Sequence, residues 1–329
     1  MATGEIRPSR SWTSMAKSSA TLPMSSSPAE WSDPLPGEPI ACTCHRRGGH
    51  HAPLSELLAI RQGRGSRYCR WQLGTLDASR EHELAEAACQ VADSAMRWRC
   101  RGAPHDYRLW RDAVNDRTVL AGANREKVLP FVYTLFGDQQ LPKPEEHARG
   151  WVAEFIWFRI ASEMGVHDER VLRRLEGPSF HATEPGGDGL AVWQRTADGT
   201  LTFCLWEIKN HVGGSALSAT VARAYHQLDT RATEYLAKLT GVEAVARDDP
   251  EVDKLYARLV DLWVDNSDRA GAGVAVATHV QLAPSRCFST MHNHFPSRTG
   301  PWQLEGIVAA IADFAAFTRD VRERVWIAL

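Results

Sequence analysis

The sequence predicts an α/β fold, and three features carry the prediction. Two apolar β-type runs, LAVWQRT (190–196) and LTFCLW (201–206), flank the Asp198-Gly199 pair, a strong short-range hairpin signal. Helical patterns lie on either side of that hairpin, at 145–164 and 216–240. The apolar run AGVAVATHV (272–280) then supplies a further buried strand.

In chain order, the first 40 residues are rich in Ser and Pro (SSSPAEWSDPLPGEP) and read as a disordered leader. They lack the apolar core of a secretory signal. Cys42, Cys44, His45, His50 and His51 are zinc-ligand types. The one-residue gap between the cysteines is tighter than zinc sites use, so the cluster is left without a role. Residues 41–144 read as a mixed α/β region, with a strand at 66–76 and helices at 79–99 and 124–137. A second region, 145–329, opens with the helix EEHARGWVAEFIWFRIASEM. A short strand is expected around Pro178–Thr183, and the hairpin follows it. The helix at 216–240 places Leu217, Val221, Ala224, Leu228, Ala232, Tyr235 or Leu236, and Leu239 at helical spacing. Helices are also expected at 249–265 and 302–327, the last with an apolar face from Leu304 to Val325 that could dock on the core or on a partner.

Chemistry concentrates at the hairpin's open end. With Asp198 and Gly199 as a two-residue turn, Ala197 pairs with Thr200, Asp188 faces Lys209, and Leu190 faces Glu207. Opposed residues share a face, as do residues two apart on one strand. Asp188, Glu207 and Lys209 therefore converge, and two carboxylates beside an ammonium can hold a hard cation next to a water-activating group. On an exposed strand such charges would be solvated decoration. Here LTFCLWEIK is apolar on both faces, so charges at its end need partners or a metal. The chain has 32 Arg and only 6 Lys, so a Lys at this position points to a compact ammonium rather than a guanidinium fork.

This arrangement resembles the PD-(D/E)XK nuclease superfamily, the restriction-endonuclease-like fold. Its members carry an Asp at the start of one strand and Glu-x-Lys on the next, on an αβββαβ core with a mixed sheet. The resemblance covers about residues 145–281. It implies Mg2+ (or Mn2+) held by Asp188, Glu207 and the Ile208 carbonyl, with Lys209 orienting a water for phosphodiester hydrolysis of DNA. It also implies a further metal-proximal acid at Glu154 on the first helix, and Gln227 near the site on the second. Alternatively, Glu154 belongs to a thin polar stripe with Arg159, and Gln227 is merely solvated. The family's Pro-Asp pair is absent, because Gly186 and Gly187 separate Pro185 from Asp188. The run GGDGLAVW, then LWEIK, then an Ala-rich helix is similar to nucleases of bacterial anti-phage systems, such as the nuclease subunit of the Hachiman system. That likeness implies a helicase or other ATPase partner. A nuclease-fold subunit with latent activity, and a DNA-repair nuclease, are the alternatives.

Composition narrows the setting. No apolar run approaches the ~18–20 residues that cross a bilayer, so no membrane partner is expected. Seven Cys at irregular spacing fit a reducing cytoplasm rather than a disulfide framework. The net charge of −2 gives no global field for DNA. Local basic excess lies at 46–70 (Arg46, Arg47, Arg61, Arg64, Arg67 and Arg70 against Glu56) and at 97–127, where it could track phosphates or simply be solvated.

Overall fold

The computed structural model describes residues 52–63, 66, 68–164, 166, 167, 169–178, 188–240, 249–283 and 286–329. The leader, the Cys42/Cys44/His45/His50/His51 cluster, Arg46, Arg47, Arg64 and Arg67, and Gly186-Gly187 lie outside the described residues.

The chain forms α1 (Leu54–Leu57), β1 (Arg61–Gln62), β2 (Arg70–Leu76), α2 (Glu81–Arg99), α3 (Pro104–Asp116) and α4 (Gly122–Phe136). It continues with α5 (Glu145–Glu163), β3 (Val166–His167), β4 (Arg170–Glu176), β5 (Gly189–Arg195), β6 (Leu201–His211) and α6 (Leu217–Thr240). Last come α7 (Pro250–Tyr256), α8 (Leu259–Val264), β7 (Ala270–His279), a 3-10 turn at Val280–Leu282, α9 (Met291–His294), β8 (Leu304–Ile311) and α10 (Phe314–Trp326).

Among the described residues one eight-stranded mixed sheet runs β1-β2-β8-β7-β6-β5-β4-β3. Strands β2, β8, β7 and β6 are mutually parallel, whereas β6, β5, β4 and β3 form an antiparallel meander. Parallel strands are covered on both faces. Accordingly every residue of β8 is buried, as is all of β7 except His279. Alternation along β6 splits the interior into two cores. Cys204, Trp206 and Ile208 face α2, α4, α5 and α10, while Leu201, Phe203 and Leu205 face α6, α7 and α8. Strand β2 pairs with β8 and α2 packs on α10, so sheet and core cross the boundary expected at 144/145.

Three expectations change. The run 302–327 is not one helix: LEGIVAAI is strand β8, and α10 begins only after Asp313. A short, wholly apolar run fits a buried strand and a buried helix equally well. The Asp313 carboxylate accepts from the Ala316 N–H at 2.9 Å and marks the true helix start. The apolar face expected to dock a partner is therefore spent inside the protein, since Phe314, Phe317, Val321 and Val325 are buried too. The strand paired with β5 is β4 at Arg170–Glu176, preceded by the short β3; of the piece expected at Pro178–Thr183, residues 179–183 lie outside the described residues. The β4 sequence RVLRRLE hides the alternation, and a bulge between Leu172 and Arg174 disturbs it further. The helix at 249–265 breaks into α7 and α8, and α3 was not anticipated.

The hairpin register also moves. Gly189 pairs with Trp206 and Gln194 with Leu201, and the Arg195 N–H donates to the Thr200 carbonyl at 2.9 Å. Thr196–Gly199 thus form a four-residue loop. A two-residue type I′ turn needs positive φ at both central residues. Gly199 has φ +73°, whereas Asp198 is not among the residues with positive φ. Pairing shifts by two residues, which brings Asp188 opposite Glu207 instead of Lys209. A two-residue shift preserves every side chain's face, so the three charged groups still converge.

The five described cysteines are all free thiols. Among the described residues no helix is long and apolar enough to cross a membrane.

Candidate active site

The site lies where β5 begins, between α5 on one face and α6 on the other. Asp188 immediately precedes β5, and its N–H donates to the Trp206 carbonyl at 3.1 Å. Past Gly189, the Ile208 N–H has reached the end of the ladder and donates instead to Asp188 Oδ2 at 2.6 Å. In a strand the N–H and C=O of one residue point to the same side. The Ile208 carbonyl is therefore directed toward the Asp188 side as well.

Glu207 is fully buried, and the Lys209 ammonium donates to its Oε1. Its Oε2 is buried with no N–H donor, and Glu207 shares a proton with the neighbouring Asp188 carboxyl. Glu154 reaches the same place from α5. Burial, then the neighbouring Asp188, raise its pKa well above the usual carboxyl range, while Arg99 and Lys209 oppose the rise. Glu154 Oε2 is likewise buried without a partner. Arg159, the expected stripe-mate of Glu154, bonds Glu163 at 2.6 Å.

A close contact sets this meeting of α5 with the strand. A Cβ on Gly189 would lie 2.1 Å from the Trp157 indole, so only glycine lets the helix lie here. Glu154, one turn before Trp157, then stands beside Asp188. Gly189→Val should cost about 1–3 kcal/mol through overpacking, read as a lower denaturant midpoint. An unchanged midpoint would mean that α5 does not rest on Gly189.

Electrostatics distinguish this cluster from surface decoration. Burial raises Asp188 to about 6 against the opposing pull of Lys209 and the Ile208 N–H. Burial and the Asp188 charge raise Glu207 to about 8. Burial lowers the Lys209 pKa, but Glu207 and Asp188 outweigh it and the net shift is upward. Three carboxyls thus crowd a desolvated corner with one ammonium.

Gln227 is half-buried on α6, and its amide donates to the Tyr235 hydroxyl at 2.8 Å. Tyr235 feels the charges of Glu207 and Asp188, so Gln227 stands behind Tyr235 rather than on the carboxyls. Two participants were not singled out from the sequence. Tyr235 counted only as one apolar position of α6, and Arg99 was part of the basic stretch 97–127. Arg99 is in fact 3% exposed, with its guanidinium 4.0 Å from the Trp151 ring centre, so it faces Glu154 instead of solvent. Arg111 from the same stretch is buried too. No local signal marks either residue, because their relation to the acids exists only across elements.

Among the described residues no three His, Cys, Asp or Glu side chains are gathered as a ready metal cage. Lys209 donates to one oxygen of Glu207, and the Ile208 N–H to one of Asp188. Glu154 Oε2 has no donor, and Glu207, besides its bond from Lys209, shares a proton with the Asp188 carboxyl, so their oxygens are the acceptors left for a cation once that proton is lost.

Comparison with protein-family models, with curated proteins and with solved structures returns no match for this chain.

Proposed function

We propose that this protein is a metal-dependent deoxyribonuclease of the restriction-endonuclease-like kind, built on Asp188, Glu207, Lys209 and Glu154. One observation carries the reading. Three carboxyls, buried Glu207 on β6 with half-buried Glu154 on α5 and Asp188 just before β5, act on one another beside the Lys209 ammonium, and all three have raised pKa values. Uncompensated buried carboxylates are costly, and strongly perturbed groups cluster at functional sites. The order α5-β3-β4-β5-β6-α6-α7-α8-β7, a helix, an antiparallel meander, helices and a strand returning parallel to β6, supports the same reading.

Asp188 and Glu207, with the Ile208 carbonyl, would hold Mg2+ or Mn2+, and Glu154 a second ion or a metal-bound water. A divalent ion so held polarises a phosphate and lowers the pKa of its water. The chain's own contribution is positional. The Ile208 N–H fixes the Asp188 carboxylate, and Arg99 favours the ionised form of Glu154. Lys209, once released from Glu207, orients the attacking water and offsets charge developing on the phosphate. Plasmid cleavage at low salt, with Mg2+ or Mn2+ against chelator, tests the reading. A folded chain that never cuts with either ion, alone or with its partner, would overturn it.

The net charge of −2 gives the chain little general hold on DNA. We therefore include a DNA-loading partner of the helicase or ATPase type, and a place in anti-phage defence, in the proposal. The Lys209–Glu207 contact favours a second reading, a nuclease-fold subunit whose activity stays latent until that pair opens. Cleavage that appears only on adding the partner would select it.

Proton linkage gives an independent check. Asp188 and Glu207 have raised pKa values, so the folded chain holds protons that the unfolded chain loses near pH 4–4.5. Stability from this source is greatest at low pH and is lost as pH rises through about 6 and about 8. In chelator, the melting temperature relative to Glu207→Gln should fall by a few degrees between about pH 5 and about pH 8.5. Mg2+ should restore it at the alkaline end, because a ligand that binds only the folded state stabilises it. Parallel pH profiles for the two proteins would refute the shift at Glu207.

A further inference from the structure

A cavity of about 390 Å³ opens beside the β5–β6 loop, bordered by Gly199, Thr200 and Leu201. Small-ligand sites occupy ~300–1,000 Å³, so its size suits one. Four basic side chains line it, Arg173, Lys254, Arg258 and Arg269, against one acid, Glu251. They converge from β4, from α7, from the α7–α8 junction and from the residue before β7. At ~3.3 Å per residue, about 20 Å of strand separates Leu201 from Glu207. No residue of the candidate active site lines this cavity.

The acids here are already engaged. Arg173 donates to Asp249 and, at 2.7 Å, to Gln194, while Lys254 donates to Glu251 at 2.7 Å. Just outside the cavity, Asp198 and Asp268 both pair with Arg195, at 3.4 and 3.3 Å. Arg269 is half-buried, and its Nε donates to the Leu201 carbonyl at 2.8 Å, which fixes the guanidinium plane. Among the described residues its terminal nitrogens, and the whole Arg258 guanidinium, have no hydrogen-bond or ion-pair partner. Burial, then the Arg258 charge, lowers the Arg269 pKa; Arg195 adds to the fall and Asp268 opposes it. One exposed arginine would simply be solvated. Here a second, anchored through its Nε, stands close enough to repel it, and no carboxylate is bonded to either.

We infer that this cavity binds a phosphate group, held between the Arg258 and Arg269 guanidinium groups. The inference stands apart from the nuclease reading and uses none of its residues. A carboxylate has two oxygens, which one guanidinium fork fills. A phosphate offers more oxygens and more charge, and arginine matches it with the same planar geometry. No aromatic ring lines the cavity to stack a base, so the phosphate itself is the group recognised. A nucleic-acid backbone and a free polyphosphate both present that group. On a backbone, such contacts position the strand without reading its sequence.

The test titrates the full chain, without metal, with inorganic pyrophosphate and separately with a single-stranded oligonucleotide. Sodium acetate at matched ionic strength is the control. Pyrophosphate should move the amide resonances of Arg258 and Arg269 saturably, and acetate should not. Arg258→Gln changes an exposed side chain, so its melting temperature should hold while pyrophosphate affinity falls about tenfold or more, the loss of charge-assisted hydrogen bonds. Arg269→Gln should weaken binding as much, with its melting temperature reporting the lost bond to Leu201. If a nucleic-acid backbone is the source, Arg258→Gln also lowers the slope of log oligonucleotide affinity against log salt by about 0.7. An unchanged slope beside weakened pyrophosphate binding assigns the cavity to a free polyphosphate. Amides that ignore pyrophosphate, or answer acetate as readily, would overturn the inference. So would a folded Arg258→Gln protein that binds pyrophosphate as the parent does.

Discussion

Replacing Lys209 with alanine is expected to lower metal-dependent cleavage about a hundredfold or more while the protein stays folded. The ammonium is about one-third exposed and bonds one carboxylate, so its removal leaves the two hydrophobic cores intact. Glu207 then loses a group that holds its pKa down and keeps its proton to higher pH. At alkaline pH, where Glu207 ionises in any case, the vacated oxygen becomes available and metal occupancy should rise. The variant should therefore bind metal and fail to cut, a combination that a merely structural lysine would not produce. Asp188→Asn and Glu207→Gln should fail for the other reason, because a neutral amide is a poor ligand for a hard cation. Calorimetric metal binding should weaken in both. A doubly substituted chain that still cleaves with Mg2+ would place the chemistry elsewhere.

The largest effect on stability is expected at Arg170. Its guanidinium is 3% exposed and makes a bidentate pair with Glu305, at 2.7 and 2.6 Å. The same group lies 4.2 Å from the ring centres of both Trp193 and Trp302. Arg170 belongs to β4 and Glu305 to β8, so the pair ties strands separated in the sheet by β7, β6 and β5. Arg170→Met strips the buried Glu305 of its bidentate partner and should cost about 3–5 kcal/mol. Arg170→Met with Glu305→Leu should recover most of that loss, since an apolar pair of similar volume is often as stable as a buried ion pair. Denaturant midpoints of the two variants decide it. A single variant as stable as the parent would show that this pair does not hold the sheet.

Arg170 also shows where reading the chain fails. Nothing in RVLRRLE says that its first arginine is buried, because the carboxylate that permits burial lies 135 residues away. The same limit hid Arg99, whose neighbour Glu154 is on another helix. It made β8 read as helix, because what fixes LEGIVAAI as a strand is its ladder with β2 and β7. Elements that carry their own evidence fared better. Helices α2, α4, α5 and α6 and strands β2, β5, β6 and β7 lie close to their expected places, since periodicity, turn residues and apolar runs are local.

The candidate site divides in the same way. That Asp188, Glu207 and Lys209 share one face of a hairpin is legible in the chain, because a strand alternates with period two and even a two-residue error in register preserves the face. The packed fold sets Asp188 against Glu207, because the conformation of Thr196–Gly199 sets the pairing. It alone brought Glu154 to the strand end, through the fit of Trp157 against Gly189. Gln227 it set behind Tyr235. The upward pKa shifts of the three acids likewise arise from burial, which belongs to the packed fold and to no stretch of sequence.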